Sequence, residues 1–169
     1  MEGEETLIQL ARLASKGDED SFVALCEAMK ITLFRTAKGI LGDETLALDA
    51  VSEAVFRAYK GIRRLREPKY AATWFTRILI NAANDIYKKQ KNELNLDTAH
   101  DIAHYDDHSR LDFETMIESL SPELRKIISL KYYSGFTLEE ISRILKIPAG
   151  TVKSRLNRAL KQLRMEIEE

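Results

Sequence analysis

Arg77, Asn81, Asn84 and Lys88 recur at three- and four-residue intervals, so on a helix they project together. Tyr70 and Trp74 stand just before that set and at its edge, with Lys69 beside them and Lys89 following. Cations track phosphates, aromatic rings stack on unpaired bases and amides bond to base edges, a mixture that suits single-stranded nucleic acid. The plainer alternative is that Tyr70 and Trp74 sit at a core boundary under a solvated helix. A second set lies near the C-terminus, where Gly150, Ser154, Asn157, Arg158 and Lys161 share a helical face and Lys153 and Arg155 flank it. Outward residues on such a face reach base edges while flanking cations meet phosphates. No acid interrupts residues 151–164, although a solvated helical hairpin that binds nothing has the same pattern.

Other chemistries find less support. His100, His104 and His108 recur every fourth residue among Asp97, Asp101, Asp106 and Asp107, a spacing that a zinc site can use. That stretch has no apolar face to hold such a site rigid, and a solvated connector reads the same way. Cys26 is the only cysteine, which excludes an intrachain disulfide and a cysteine-based zinc cluster. Its apolar neighbours favour a small core residue over a reactive thiol. There is no phosphate-binding glycine loop and no pairing of nucleophile with base. The chain is therefore expected not to be an enzyme and to need no catalytic residue, cofactor, metal or small-molecule substrate.

The elements that must position these residues are helical throughout. Apolar residues recur at the helical period, and proline occurs only at 68, 122 and 148. Helices are expected over residues 6–16, 20–41, 46–66 and 72–91, broken at Gly17 and Gly42. Phe75, Ile78, Leu79, Ala82 and Ile86 give the last of these its buried stripe. Further on, Thr137 with Glu140 reads as a capping box that opens a helix carrying Leu138, Ile141, Ile144 and Leu145. Pro148 marks a turn, and a second helix follows with Val152, Leu156, Ala159, Leu160 and Leu163 on its apolar side. A helix-turn-helix results. The expected fold class is all-α: a first helical domain over 1–92, a flexible acidic linker over 93–111 and a helix-turn-helix domain over 112–169.

The net charge of −1 hides a strong segregation. Residues 57–92 are basic, opposed only by Glu67 and Asp85; residues 93–123 are acidic, opposed only by Arg110; residues 137–164 are basic again, opposed only by Glu139 and Glu140. No apolar run approaches the roughly 20 residues that span a bilayer, and the acidic start lacks the basic flank of a secretory signal. A cytoplasmic protein without direct membrane insertion is expected.

Taken in order, these blocks resemble the extracytoplasmic-function class of bacterial sigma factors, the promoter-recognition subunits of RNA polymerase. The resemblance runs from about residue 20 to 164. It rests on Asp49, Val51, Glu53, Phe56 and Arg57 in one helix, and on Trp74, Arg77, Ile78, Asn81 and Asp85 in the next. The closest match is Leu120 to Arg125, then Glu139, Glu140 and Ile141, then Pro148 to Ala159. The resemblance implies that Lys69, Tyr70, Trp74, Arg77, Asn81, Asn84, Lys88 and Lys89 read and melt a minus-ten promoter element. It implies that Arg125, Gly150, Thr151, Lys153, Ser154, Arg155, Asn157, Arg158 and Lys161 bind a minus-thirty-five element. Asp49, Ser52, Glu53, Phe56 and Arg57 would dock on core RNA polymerase, and an anti-sigma factor is implied as a further partner, one that can hold the protein at the membrane. Departures fall at Leu48, where the family commonly has an acid, at Ser52, where it often has glutamine, and at Ile80, where arginine is frequent. The remaining alternatives are a dimeric helix-turn-helix regulator on an operator and a helical adaptor that binds polymerase without touching DNA.

Overall fold

The structure, a computed structural model, describes residues 2–94, 116–117 and 119–168. Helix α1 (Glu2–Ser15) starts in an acidic turn that suits the positive end of the helix dipole, and it begins earlier than its apolar spacing suggests. The chain reverses at Gly17, whose φ of 102° lies where side-chain-bearing residues are strained. Helix α2 (Glu19–Leu41) is capped by the Asp18 carboxylate, which accepts from the Ser21 amide at 3.0 Å, and it ends on left-handed Gly42. Helix α3 (Glu44–Gly61) is capped in the same way by Asp43.

Helix α3 stops short of the expected end at 66. Gly61 weakens it, and the Trp74 ring packs so closely there that a Cβ at 61 would lie 3.3 Å from it. The chain tightens into a 3-10 turn, Ile62–Arg64, and a second one begins at a proline, Pro68–Tyr70. Together they launch helix α4 (Ala71–Leu94), which carries the minus-ten candidates.

Ala47, Ala50, Ala54 and Ala58 form a fully buried seam along α3. Small side chains at helical spacing let α2 and α4 approach closely on either side, with Leu25, Met29, Leu33 and Ala37 against Phe75, Leu79 and Ala82.

The second helical domain holds helix α5 (Pro122–Ile128), a π turn at Ser129–Tyr133, helix α6 (Leu138–Leu145) and helix α7 (Ala149–Glu168). The capping box is present in full: Glu140 donates its amide to Thr137 Oγ1 at 3.2 Å, and the Thr137 amide donates to Glu140 Oε2 at 2.8 Å. Helix α6 ends at left-handed Lys146, and Pro148 directs the chain into α7 by accepting from the Thr151 and Val152 amides. Ile141, Ile144, Val152, Leu156, Ala159 and Leu163 close this core.

The two domains pack on each other, which the sequence did not signal. Helix α2 lies against α5 and the π turn, and α4 lies against α6. Thr36 Oγ1 and Ser134 Oγ share a 2.6 Å hydrogen bond across this contact. Gly39 is essential to it, since a Cβ there would fall 2.5 Å from Ser129 Oγ and 2.6 Å from the Tyr133 ring. Ile80 is only 4% exposed because the second domain covers it. Helix α4 runs two residues into the linker expected over 93–111, and the rest of that stretch, with its histidines, lies outside the described residues.

Candidate nucleic-acid interface

Helix α7 separates its two sides cleanly. Val152, Leu156, Ala159 and Leu163 are buried, while Gly150, Lys153, Ser154, Asn157, Arg158 and Lys161 are exposed and Thr151 is half-exposed. Ser154 Oγ donates back to the Thr151 carbonyl at 3.0 Å, as a helical serine does when nothing else engages it. Arg155 points elsewhere: it is half-buried and pairs with Glu123 of α5 at 3.2 Å. Arg125 is also engaged locally, its Nε donating to the Leu120 carbonyl at 3.1 Å, where it braces the entry to α5.

Helix α4 is buried on more sides than its sequence stripe indicates. Thr76, Ile80 and Ala83 are buried along with Phe75, Leu79 and Ala82. Asn81 and Lys88 are exposed, whereas Arg77 and Asn84 are half-buried, because this face looks onto α6. Tyr70 is exposed beside Lys69, whose Nζ lies 5.0 Å from the ring centre, and Arg143 of α6 stands 5.5 Å from the same ring. Lys69 pairs with Glu67 at 3.1 Å, and this raises its pKa. The Trp74 ring meets Phe75 edge-on at 6.1 Å and packs over Gly61, a bracing position at the boundary of the core.

On α3 the side opposite the alanine seam carries Asp49, Ser52 and Phe56, with Glu53 half-buried. Arg57 bridges two helices, donating to Glu53 at 2.6 Å and to Asp85 of α4 at 2.9 Å, and those bonds raise its pKa. Leu48 and Tyr59 extend the exposed stripe, and Lys60 sits 3.9 Å above the Phe56 ring. In the sequence Leu48 stands out only as a departure from the family pattern, and Tyr59 does not stand out. Their signal was available, because large apolar residues that recur at helical spacing opposite a buried seam have no core left to enter.

Between the domains, Arg77, Ile80, Asn81 and Asn84 of α4 face Glu123, Lys126, Lys146, Ile147 and Arg155 across a cleft of about 260 Å³. Among the described residues no group of three or more histidine, cysteine, aspartate or glutamate side chains is placed to hold a metal. No described helix is long and apolar enough to cross a membrane.

A basic helix with aromatic and amide neighbours, followed by a helix-turn-helix with an outward basic face, is a two-module arrangement suited to binding DNA. Residues 25–93 match Sigma-70 region 2, and residues 110–163 match Sigma-70, region 4. ECF RNA polymerase sigma factor SigW of Bacillus subtilis (strain 168) is 30% identical, the alignment covering 91% of this chain and 92% of that protein. RNA polymerase sigma factor SigV of the same organism is 31% identical over 82% of this chain and 86% of its own length. The fold is that of CnrH, solved with the cytosolic domain of CnrY, with a TM-score of 0.75 at 20% identity over 96% of this chain and 97% of that one. It is equally that of RpoE from Bartonella quintana, solved with the anti-sigma factor NepR, with a TM-score of 0.70 at 24% identity over 84% and 95% of the two chains. The chain belongs to the extracytoplasmic-function class of the sigma-70 family of RNA polymerase sigma factors. It is a promoter-recognising transcription initiation factor, in a family that acts by binding rather than by catalysis.

Proposed function

We propose that α7 reads the upstream promoter element, that the turn at Pro68–Tyr70 and helix α4 capture the melted downstream strand, and that the exposed stripe of α3 docks on core polymerase. The observation that carries this assignment is the projection of Lys153, Ser154, Asn157, Arg158 and Lys161 from α7 on the side away from its core. Lys153, at the helix start, is suited to phosphate; Asn157 and Arg158 are suited to base edges. Arg125 and Arg155 contribute once they leave Leu120 and Glu123. On α4, Lys88 and Lys89 would follow the strand backbone while Tyr70 supplies a stacking wall.

Domain limits at 92 and 112 fit this division, with residues 93–111 as the connector. Two promoter elements set apart on DNA cannot both be reached while Arg77, Asn81 and Asn84 face α6, so promoter binding requires the domains to separate. An anti-sigma partner is supported by the likeness to RpoE, solved with NepR. The protein acts in the cytoplasm on the nucleoid, without a catalytic activity of its own, and a membrane-anchored partner would hold it at the membrane.

Transcription in vitro with purified core polymerase and a genomic promoter library tests the assignment. Promoter-specific initiation that is lost on charge reversal at Arg158 and Lys161 is the expected result. Undiminished initiation by that variant would transfer the upstream role to another face.

A further inference from the structure

Arg77 of α4, Lys126 of α5, Lys146 at the end of α6 and Arg155 of α7 converge on the interdomain cleft. Among the described residues Glu123 is the only carboxylate on its walls, and Arg155 already engages it at 3.2 Å. Among the described residues Arg77, Lys126 and Lys146 have no ion pair, and the Asn81 and Asn84 amides have no hydrogen-bond partner. Burial lowers the pKa of the Lys126 ammonium; Glu123 opposes that shift and Lys88 adds to it. Gathering cations from two packed domains carries an electrostatic cost that grows as water is excluded. A bound anion removes that cost.

We propose that this cleft is a binding site for a small phosphate-bearing anion, an inorganic oligophosphate or the phosphate chain of a nucleotide, and that its occupant holds the two domains together. Lys126, Lys146 and Arg77 take the phosphates. Asn81 and Asn84 offer amides to a base edge, and Ile80, Ile144, Leu145 and Ile147 form an apolar wall for a ring. A volume of about 260 Å³ lies just below the usual range for ligand pockets, which suits a phosphate chain with any attached ring reaching toward the open side, and excludes a strand. The site goes beyond promoter recognition, since Lys126 and Lys146 belong to neither promoter-reading set. Because Arg77, Asn81 and Asn84 are shared with the minus-ten set, an occupied cleft competes with the melted strand.

Calorimetric titration of the full chain at constant ionic strength, with pyrophosphate, ATP and adenosine as separate probes, tests this. Saturable binding of pyrophosphate and ATP at one site is expected, with none for adenosine. The double variant Lys126→Gln with Lys146→Gln should weaken both phosphates tenfold or more while helical circular dichroism is unchanged. A tighter ATP complex whose advantage disappears in Asn84→Ala assigns the site to a nucleotide; equal affinities assign it to the phosphate chain alone. No saturable binding, or binding that the double variant leaves intact, overturns the site. Unchanged affinity in a helical Gly39→Leu chain, whose domains cannot pack, would overturn the link to the packed arrangement.

Discussion

Arg158 and Lys153 are both exposed on α7, and the tasks proposed for them differ in a measurable way. Replacing Arg158 by Ala should relax preference at one or two upstream positions, at about 1 to 3 kcal/mol if its guanine contact is bidentate. Lys153→Ala should weaken all upstream sequences alike and flatten the salt dependence of binding, because a phosphate contact carries no sequence information. Affinity of each variant for a randomised upstream element distinguishes the two. Tyr70→Ala removes a stacking wall worth about 1 to 3 kcal/mol per base, so permanganate-detected melting by holoenzyme should fall about tenfold or more. A pre-opened minus-ten bubble should restore melting but not base selectivity. Cys26 is a different kind of residue: burial first, then Glu27, pushes its thiol up to about 11 from 9.0. The folded state therefore holds the proton more tightly than the unfolded one. Stability from this group is present below pH 9 and lost as pH rises towards 11, so the melting midpoint should fall in that window, and less so in Cys26→Ala.

Helix α6 was legible in the sequence because its signals are local. Thr137 and Glu140 are three residues apart, the proline follows in the same segment, and the structure contains both devices as read. Thr137→Ala should cost about 1 kcal/mol, readable as a lower urea midpoint with unchanged slope. The ends of α3 were less legible. The apolar pattern runs on through Ile62 and Leu65, but the helix stops at Gly61, where the Trp74 ring of α4 packs against the backbone. The π turn after α5 gave no sequence signal either, since Ser129–Tyr133 is an ordinary helical pattern; in the fold α2 packs against it. Helix α3 also carries the polymerase assignment. Charge reversal at Asp49 and Glu53 should weaken core binding with helical content preserved, and unchanged core affinity would count against this helix.

At the scale of the whole molecule, the all-helical class and its two basic modules followed from periodicity and charge, whereas the domain contact did not. Its residues give little sign of it: Gly39 resembles any weak point in a helix, and Ile80 departs from the family pattern without showing what covers it. Only proximity in space shows that a Cβ at 39 would meet Ser129 and that Ile80 has Ile144 and Ile147 across the cleft. For the same reason the present partners of Arg125 and Arg155, Leu120 and Glu123, were not legible in the sequence. Ile80→Arg would place another cation among Arg77, Lys126 and Lys146 and remove an apolar contact. The expected outcome is a larger radius of gyration by small-angle scattering with helicity retained. An unchanged radius would mean that the contact tolerates charge.

The exposed stripe of Leu48, Phe56 and Tyr59 also bears on how the free protein behaves in a tube. Phe56 is 53% exposed, and a chain with net charge −1 and a sequence pI near 6.3 has almost no long-range repulsion to keep such stripes apart. Purified alone, it should become turbid on concentration near pH 6 and clear again on alkaline titration, as added negative charge restores colloidal repulsion. Production together with whatever covers α3 should raise the attainable concentration more than any change of salt.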